Sequence, residues 1–295
     1  MNDRVLRAVT YDGAFRVIAV RTTDLVREAM RVHQSTFGAP GQAGSDARAF
    51  ADLLTGAILV RETMAPGQRL QAVLSRQGVG QIVVDSRPME GVSAPIRGLV
   101  NRPGGPNGVV EPILGGDAVL RVTRTLPRGR MHQSIVEAQA SGMSQALMHY
   151  MQTSEQVVSM LGLGVVFDGD RVVASGGYLV QLLPECTDGP LAVMTERLAH
   201  DFADFDRFIL AHDADAMKLK DELLYGFDHE VLSDEGLRYG CDCSEERVLG
   251  AVATLGREEI AQIVETGEIV SLTCEYCRTD WTLGTDRLKS LLVSN

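Results

Sequence analysis

The stretches Tyr239-Gly-Cys241-Asp-Cys243-Ser244 and, roughly thirty residues later, Thr273-Cys274-Glu-Tyr-Cys277-Arg278 hold four of the five cysteines in this 295-residue chain. A C-x-C and a C-x-x-C each set two sulfurs on one tight turn. Two such turns can close a tetrahedron around a soft divalent metal. Two structural disulfides, or unrelated buried thiols, are the competing readings. Met1-Asn-Asp-Arg4 runs straight into alternating sequence with no apolar h-region. A cytoplasmic location is therefore expected, and permanent disulfides are disfavoured there. The expected ligand set is Cys241, Cys243, Cys274 and Cys277 around one Zn2+. Four thiolates leave no open position on the ion, which makes Lewis-acid hydrolysis a poor expectation and a structural role the simplest one.

The metal segment has its own local logic. Ser244 can cap a helix whose first turn carries Glu245 and Glu246, favourable at the positive end of the helix dipole. Gly256-Arg-Glu-Glu259 opens a second short helix, ended by Thr266-Gly267, and a strand-like run from Glu268 to Thr273 delivers Cys274. A unit this small rarely has core enough to fold alone, so metal ligation should supply much of its stability.

Upstream, Arg4 to Arg21 reads as a β-hairpin turning at Asp12-Gly13, followed by a helix from Leu25 to His33. Gly38 to Gly44 is a loop. Ser45 or Asp46 caps a helix carrying Phe50, Leu53, Leu54, Ala57, Ile58 and Met64 until Pro66-Gly67 stops it. Strands are expected at 70–75, 81–85 and 96–100, a loop at Arg102-Pro103 through Gly108, and a hairpin from 118–125 and 131–138. A helix over 142–151 precedes a last strand pair, 161–168 and 171–183, joined by Asp168-Gly169-Asp170. Strands and helices come in blocks, which predicts an α+β fold rather than a doubly wound sheet.

The composition changes around Pro184 to Pro190. A long helix is expected over 191–211, with Leu198, Phe202, Phe205 and Ile209 along one side. From Pro190 to Gly240 there are twelve acidic against five basic side chains, together with Phe202, Phe205, Phe208, Tyr225, Phe227 and Tyr239. Periodicity fits either an ordinary acidic helical subdomain or one whose aromatic face is only conditionally buried. The expected organisation is an N-terminal mixed α/β core domain (1–185), a helical linker (186–238) and a small C-terminal zinc-binding domain (239–295).

No catalytic constellation is legible. Gly162-Leu-Gly164 lacks the rest of a phosphate loop, the six histidines are scattered, and neither H-E-x-x-H nor G-x-S-x-G occurs. An enzyme is not expected. The formal charge of −11 disfavours a nucleic-acid partner, and no apolar run is long enough to span a membrane. Thiolates are also oxidisable, and their loss as ligands would release the metal. Each cysteine pair lies close enough in sequence to bridge internally. Exchanging a metal clip of about 10–16 kcal/mol for two very small rings should unfold so small a domain.

Gly240-Cys-Asp-Cys-Ser-Glu-Glu-Arg247 and Glu268-Ile-Val-Ser-Leu-Thr-Cys-Glu-Tyr-Cys277 resemble the zinc-binding end of the redox-regulated 33 kDa heat-shock chaperonin family. Arg97-Gly98-Leu99-Val100, Tyr150 with Ser154-Glu155-Gln156, and Gly176-Gly177-Tyr-Leu-Val-Gln181 with Pro184 resemble that family's core landmarks. The resemblance spans essentially the whole chain. It implies an ATP-independent holdase, inactive when reduced and zinc-bound, active and homodimeric when oxidised. Cys241, Cys243, Cys274 and Cys277 would then be both zinc ligands and redox thiols, forming Cys241–Cys243 and Cys274–Cys277. The implied partners are unfolding client proteins and thiol reductants of the thioredoxin or glutaredoxin kind. Cys186 lies outside the family's four-cysteine set, and Trp281 stands where the family more often has tyrosine. The alternative from another class is a constitutive zinc-ribbon interaction module with a structural zinc.

Overall fold

The computed structural model describes residues 2–37, 44–88, 93–102, 111–139 and 141–293. The loop expected at 38–44 and most of that expected at 102–108 lie outside these residues. By compactness the chain divides into Met1–Tyr239 and Gly240–Asn295.

The first unit contains β1 (Arg4–Thr10), β2 (Phe15–Arg21), α1 (Thr23–Val32), α2 (Ser45–Glu62), β3 (Arg69–Arg76), β4 (Gly80–Ser86) and β5 (Ser93–Asn101). There follow β6 (Val119–Thr125), β7 (Met131–Glu137), α3 (Met143–Thr153), β8 (Ser159–Asp168), β9 (Arg171–Leu182), α4 (Asp188–His200), α5 (Phe205–Ala211), α6 (Ala216–Leu223) and β10 (His229–Tyr239). The strands form one ten-stranded sheet in the order β7-β6-β3-β4-β5-β10-β1-β2-β9-β8. Every pairing is antiparallel except β10 with β5, which run parallel. The blockwise α+β expectation holds, with helices and strands mixed in one large unit.

Side-chain alternation explains the two kinds of strand. Along β3, Leu70, Ala72 and Leu74 are buried while Gln71, Val73 and Ser75 are only half-buried, so one face meets the core and the other meets solvent. At β7 the open side carries exposed Met131 and Ile135. In β1, β2 and β9 both faces are apolar. Val5, Ile18, Val20 and Leu179 join the main core with α2, which is buried on almost every side. Leu6, Phe15, Val17, Tyr178 and Val180 point the other way, into a second core roofed by α4, α5 and α6.

The resemblance landmarks are packing devices. A Cβ at Gly98 would stand 2.5 Å from Cε2 of fully buried Phe50. The Tyr239 hydroxyl donates to Gly98 O at 2.8 Å, tying the end of β10 to β5. The buried Tyr150 hydroxyl donates to the Glu155 carboxylate, which also takes Arg124 Nη1 at 2.6 Å.

Two expectations need correction. The helix foreseen over 191–211 is broken at 201–204, where Asp204 turns to cap α5 by accepting from Arg207 N at 3.1 Å. The stretch 229–239, foreseen as the end of a helical linker, is strand β10, because β1 and β5 satisfy its backbone on both sides.

Gly98→Ala should cost about 1–3 kcal/mol, since the Phe50 ring is enclosed and cannot yield. Urea unfolding of the first unit will show this as a lower midpoint, and an unchanged midpoint would contradict the packing account.

Candidate metal centre

The second unit contains α7 (Glu245–Val252), α8 (Arg257–Thr266), β11 (Val270–Thr273), β12 (Asp280–Leu283) and α9 (Thr285–Val293). Its fully packed core is small: Val252, Leu283 and Leu288, with six half-buried apolar residues around them. Exposed Ile269 and Leu272 show how little of its apolar surface the unit covers.

Two turns present the cysteines. Cys241 and Cys243 precede α7, whose N-terminus is capped by Ser244 Oγ accepting from Arg247 N at 3.3 Å. The Asp242 carboxylate, between the two cysteines, is held by Arg247. Cys274 and Cys277 lie on the turn from β11 to β12. Cys274 O accepts from Arg278 N at 2.8 Å, Cys274 N donates to Thr279 O at 2.9 Å, and Arg278 takes a left-handed φ of 58° to close the knuckle. Thr273 Oγ1 donates to Asp280 Oδ1 at 2.6 Å across the base of the same turn.

All four Sγ atoms lie within 4.8 Å of one another. Cys241 to Cys274 is 3.8 Å and Cys243 to Cys277 is 3.3 Å. A tetrahedral zinc with Zn–S bonds of about 2.3 Å requires S···S edges of about 3.8 Å. The four sulfurs therefore fit the ion in number, chemistry and spacing, and the cluster can hold a metal. The cysteines are reduced, and they are half-buried rather than sealed. Such access suits a site that must meet an oxidant.

Without metal the thiols crowd one another unequally. Burial, then the Cys277 and Cys241 thiols, push Cys243 up to about 12. Burial likewise raises Cys274. Cys277 feels the same burial, but the Thr279 hydroxyl at 3.2 Å, the Thr279 amide and the neighbouring thiols outweigh it and draw it down to about 7. Thr279 was not singled out in the sequence, where nothing marks one threonine among many; its place two residues after Cys277 is the only signal.

Cys186 is elsewhere, half-buried against the second core of the first unit, and burial with the carboxylates of Asp12 and Asp188 raises its thiol. It is a poor nucleophile at neutral pH. Among the described residues no other group of cysteine, histidine and carboxylate side chains gathers in this way.

A family model described as Hsp33 protein matches residues 3–283. This chain belongs to the Hsp33 family. The 33 kDa chaperonin of Synechocystis sp. is 31% identical over 291 residues, covering 94% of this chain and 91% of that protein. The 33 kDa chaperonin of Synechococcus elongatus is 29% identical over 302 residues, covering 99% and 98%. The crystal structure of the 33 kDa chaperonin from Thermotoga maritima has the same fold, with a TM-score of 0.78 at 21% identity over 99% of this chain and 98% of that one. Hsp33 is a chaperone family and not an enzyme family, and among the described residues no helix is long and apolar enough to cross a membrane.

Zinc loading of the reduced apoprotein should release more protons per metal at pH 6 than at pH 8, because Cys277 has given up its proton by pH 8 while Cys243 retains its own. Titration in weakly buffered solution reads this directly, and equal release at the two pH values would contradict it. Cys186→Ser should leave zinc stoichiometry and affinity unchanged within about twofold, as a chelator competition will show.

Proposed function

We propose that this Hsp33 member is a redox-regulated, ATP-independent holdase of the cytoplasm. Cys241, Cys243, Cys274 and Cys277 hold one Zn2+ in the reduced, resting form. The observation carrying this reading is the gathering of four sulfurs in a unit with only three fully packed apolar side chains. There the ion would supply a crosslink of about 10–16 kcal/mol that the core cannot replace.

Oxidation by peroxide turns each pair of thiolates into a disulfide. Two electrons leave each pair, each peroxide takes up two electrons and two protons to become two waters, and the donor set is consumed. Once the turns come apart, the nearest thiol along the chain lies on the same turn, so loop closure favours Cys241–Cys243 and Cys274–Cys277. The ion then has no ligands and the unit has no crosslink.

The segment 186–238 is the second moving part. β10 leads by chain continuity into Cys241, and α4 to α6 roof an apolar sheet face. α4 contributes one fully buried side chain, Met194, and is otherwise tied by Arg197 to the carbonyls of Leu223 and Tyr225 at the end of α6. Lifting this roof would bare Phe15, Val17, Tyr178 and Val180 on the sheet, and Phe202 and Phe205 on the helices. Such a surface takes up unfolding proteins through apolar burial, with no nucleotide chemistry. The oxidised form pairs into a homodimer, and thioredoxin- or glutaredoxin-type reductants return the four thiols.

Trp281 is the chain's sole tryptophan and lies on β12, so its fluorescence reports the metal unit alone. Peroxide with mild heat should release one zinc per chain, remove four thiols, shift Trp281 emission to the red and switch on suppression of client aggregation measured by light scattering. Zinc release without any anti-aggregation activity would overturn the holdase reading. Zinc retained through full peroxide treatment would favour a constitutive zinc ribbon instead.

A further inference from the structure

The glycines of Gly162-Leu163-Gly164, which carry no phosphate loop, sit in β8 and make room for neighbours. A Cβ at Gly162 would stand 2.3 Å from Tyr178 Cε1. One at Gly164 would stand 2.9 Å from both Asp206 Oδ1 and Ile209 Cδ1. The second glycine thus lets α5 lie directly on an edge strand of the sheet. Asp206, in the first turn of α5, uses that closeness. Its Oδ1 accepts from Val165 N at 3.2 Å and from Arg48 Nη2 at 3.1 Å, while Oδ2 lies 2.8 Å from Arg48 Nη1. A carboxylate from the roof therefore occupies both an amide of the edge strand and the fork of a core arginine.

Arg48 has a second claimant. Its Nε lies 3.7 Å from Oδ2 of Asp52, one turn further along α2. Asp52 is 8% exposed, and its Oδ1 has no hydrogen-bond partner among the described residues. The charged groups acting on Asp52 are Arg48 of its own helix, which attracts it, and Asp206 of α5, which repels it. From β8, the Val165 carbonyl faces the same arginine at 3.5 Å. One guanidinium serves two carboxylates, and the buried one is left incompletely satisfied.

We propose that the Arg48–Asp206 pair is the latch that holds α5 on the core, and that Asp52 is a built-in weakener of that latch which sets how easily the helical roof is released. This rests on the holdase reading, in which the roof must leave. An ionised Asp52 draws Arg48 toward α2 and repels Asp206 across it; a neutral side chain at 52 does neither. Burial pushes the Asp52 carboxyl from 3.8 up to about 7, with Arg48 acting against the shift and Asp206 adding to it. A carboxyl raised on folding holds its proton better in the closed state than in the open one. Docking is therefore firmest below about pH 4, weakens as pH rises to about 7, and stays weakened above that.

The test is hydrogen exchange of the α5 amides in the full-length, reduced, zinc-loaded protein, corrected for intrinsic rates, at pH 5 and pH 8. Wild type should open α5 about tenfold more readily at pH 8 than at pH 5. Asp52→Asn should abolish most of that difference and protect α5 about tenfold at pH 8, whereas Asp206→Asn should expose α5 at both values. Asp52→Asn exchanging at pH 8 like wild type, or faster, would overturn the proposal. Should that variant not fold, equal protection of wild-type α5 at the two pH values, or wild-type protection in Asp206→Asn, would overturn it as well. Exchange needs no client, so a protein that never suppresses aggregation would fail the holdase reading and leave this result to be judged separately.

Discussion

Three strands, β1, β2 and β9, carry apolar side chains on both faces, and the rest of the large unit is arranged around that constraint. A sheet of this kind cannot rest against water on either side. One face is met by α2, a helix buried nearly all round, and by α1. The other is met by α4, α5 and α6, three short helices joined by turns. The strands that lie beyond β5 have no such need, since their outer face alternates to polar and half-buried residues. The same sheet therefore has one face whose cover is built into its core and another whose cover arrives late in the chain.

The second constraint is the size of the unit at 240–295. Its apolar contacts centre on three enclosed side chains, and it leaves Ile269 and Leu272 in water. Local geometry does what it can: Ser244 caps α7, Gly267 ends α8 in a left-handed conformation, and the Cys274–Thr279 hydrogen bonds close the second turn. Caps and turns contribute about 1 kcal/mol each, against about 10–16 kcal/mol for four thiolates on one zinc. The order of magnitude settles which of these decides whether the unit is folded. It also makes folding here depend on the oxidation state of sulfur, which no hydrophobic core does.

How much of this could be read from the sequence depended on distance along the chain. The Asp12-Gly13 hairpin, the Pro66-Gly67 stop of α2 and the two cysteine turns are local patterns, and each stands where its residues place it. The break between α4 and α5 was hidden because Leu198, Phe202, Phe205 and Ile209 keep a helical phase across it, while the cause, the capping carboxylate of Asp204, reads equally well as solvated charge. β10 was hidden for the opposite reason: His229 to Tyr239 has little apolar alternation, and its strand conformation comes from pairing with β1 and β5, both more than a hundred residues earlier. The Arg48–Asp206 contact spans 158 positions, and no spacing rule reaches that far.

These long-range polar contacts deserve a different weight from the apolar ones. Phe205 and Ile209 would favour docking of α5 in any orientation that buries them, whereas Asp206 accepts from one amide of β8 and one arginine of α2 and so fixes where the helix sits. Specificity of this kind is costly when a charge is buried without full satisfaction, and Asp52 beneath the pair is such a charge. A permanent core would gain by replacing it with an apolar side chain. A roof that must come away gains by keeping it, because the apolar area it covers would otherwise hold it too firmly to be released by events in a unit of fewer than sixty residues.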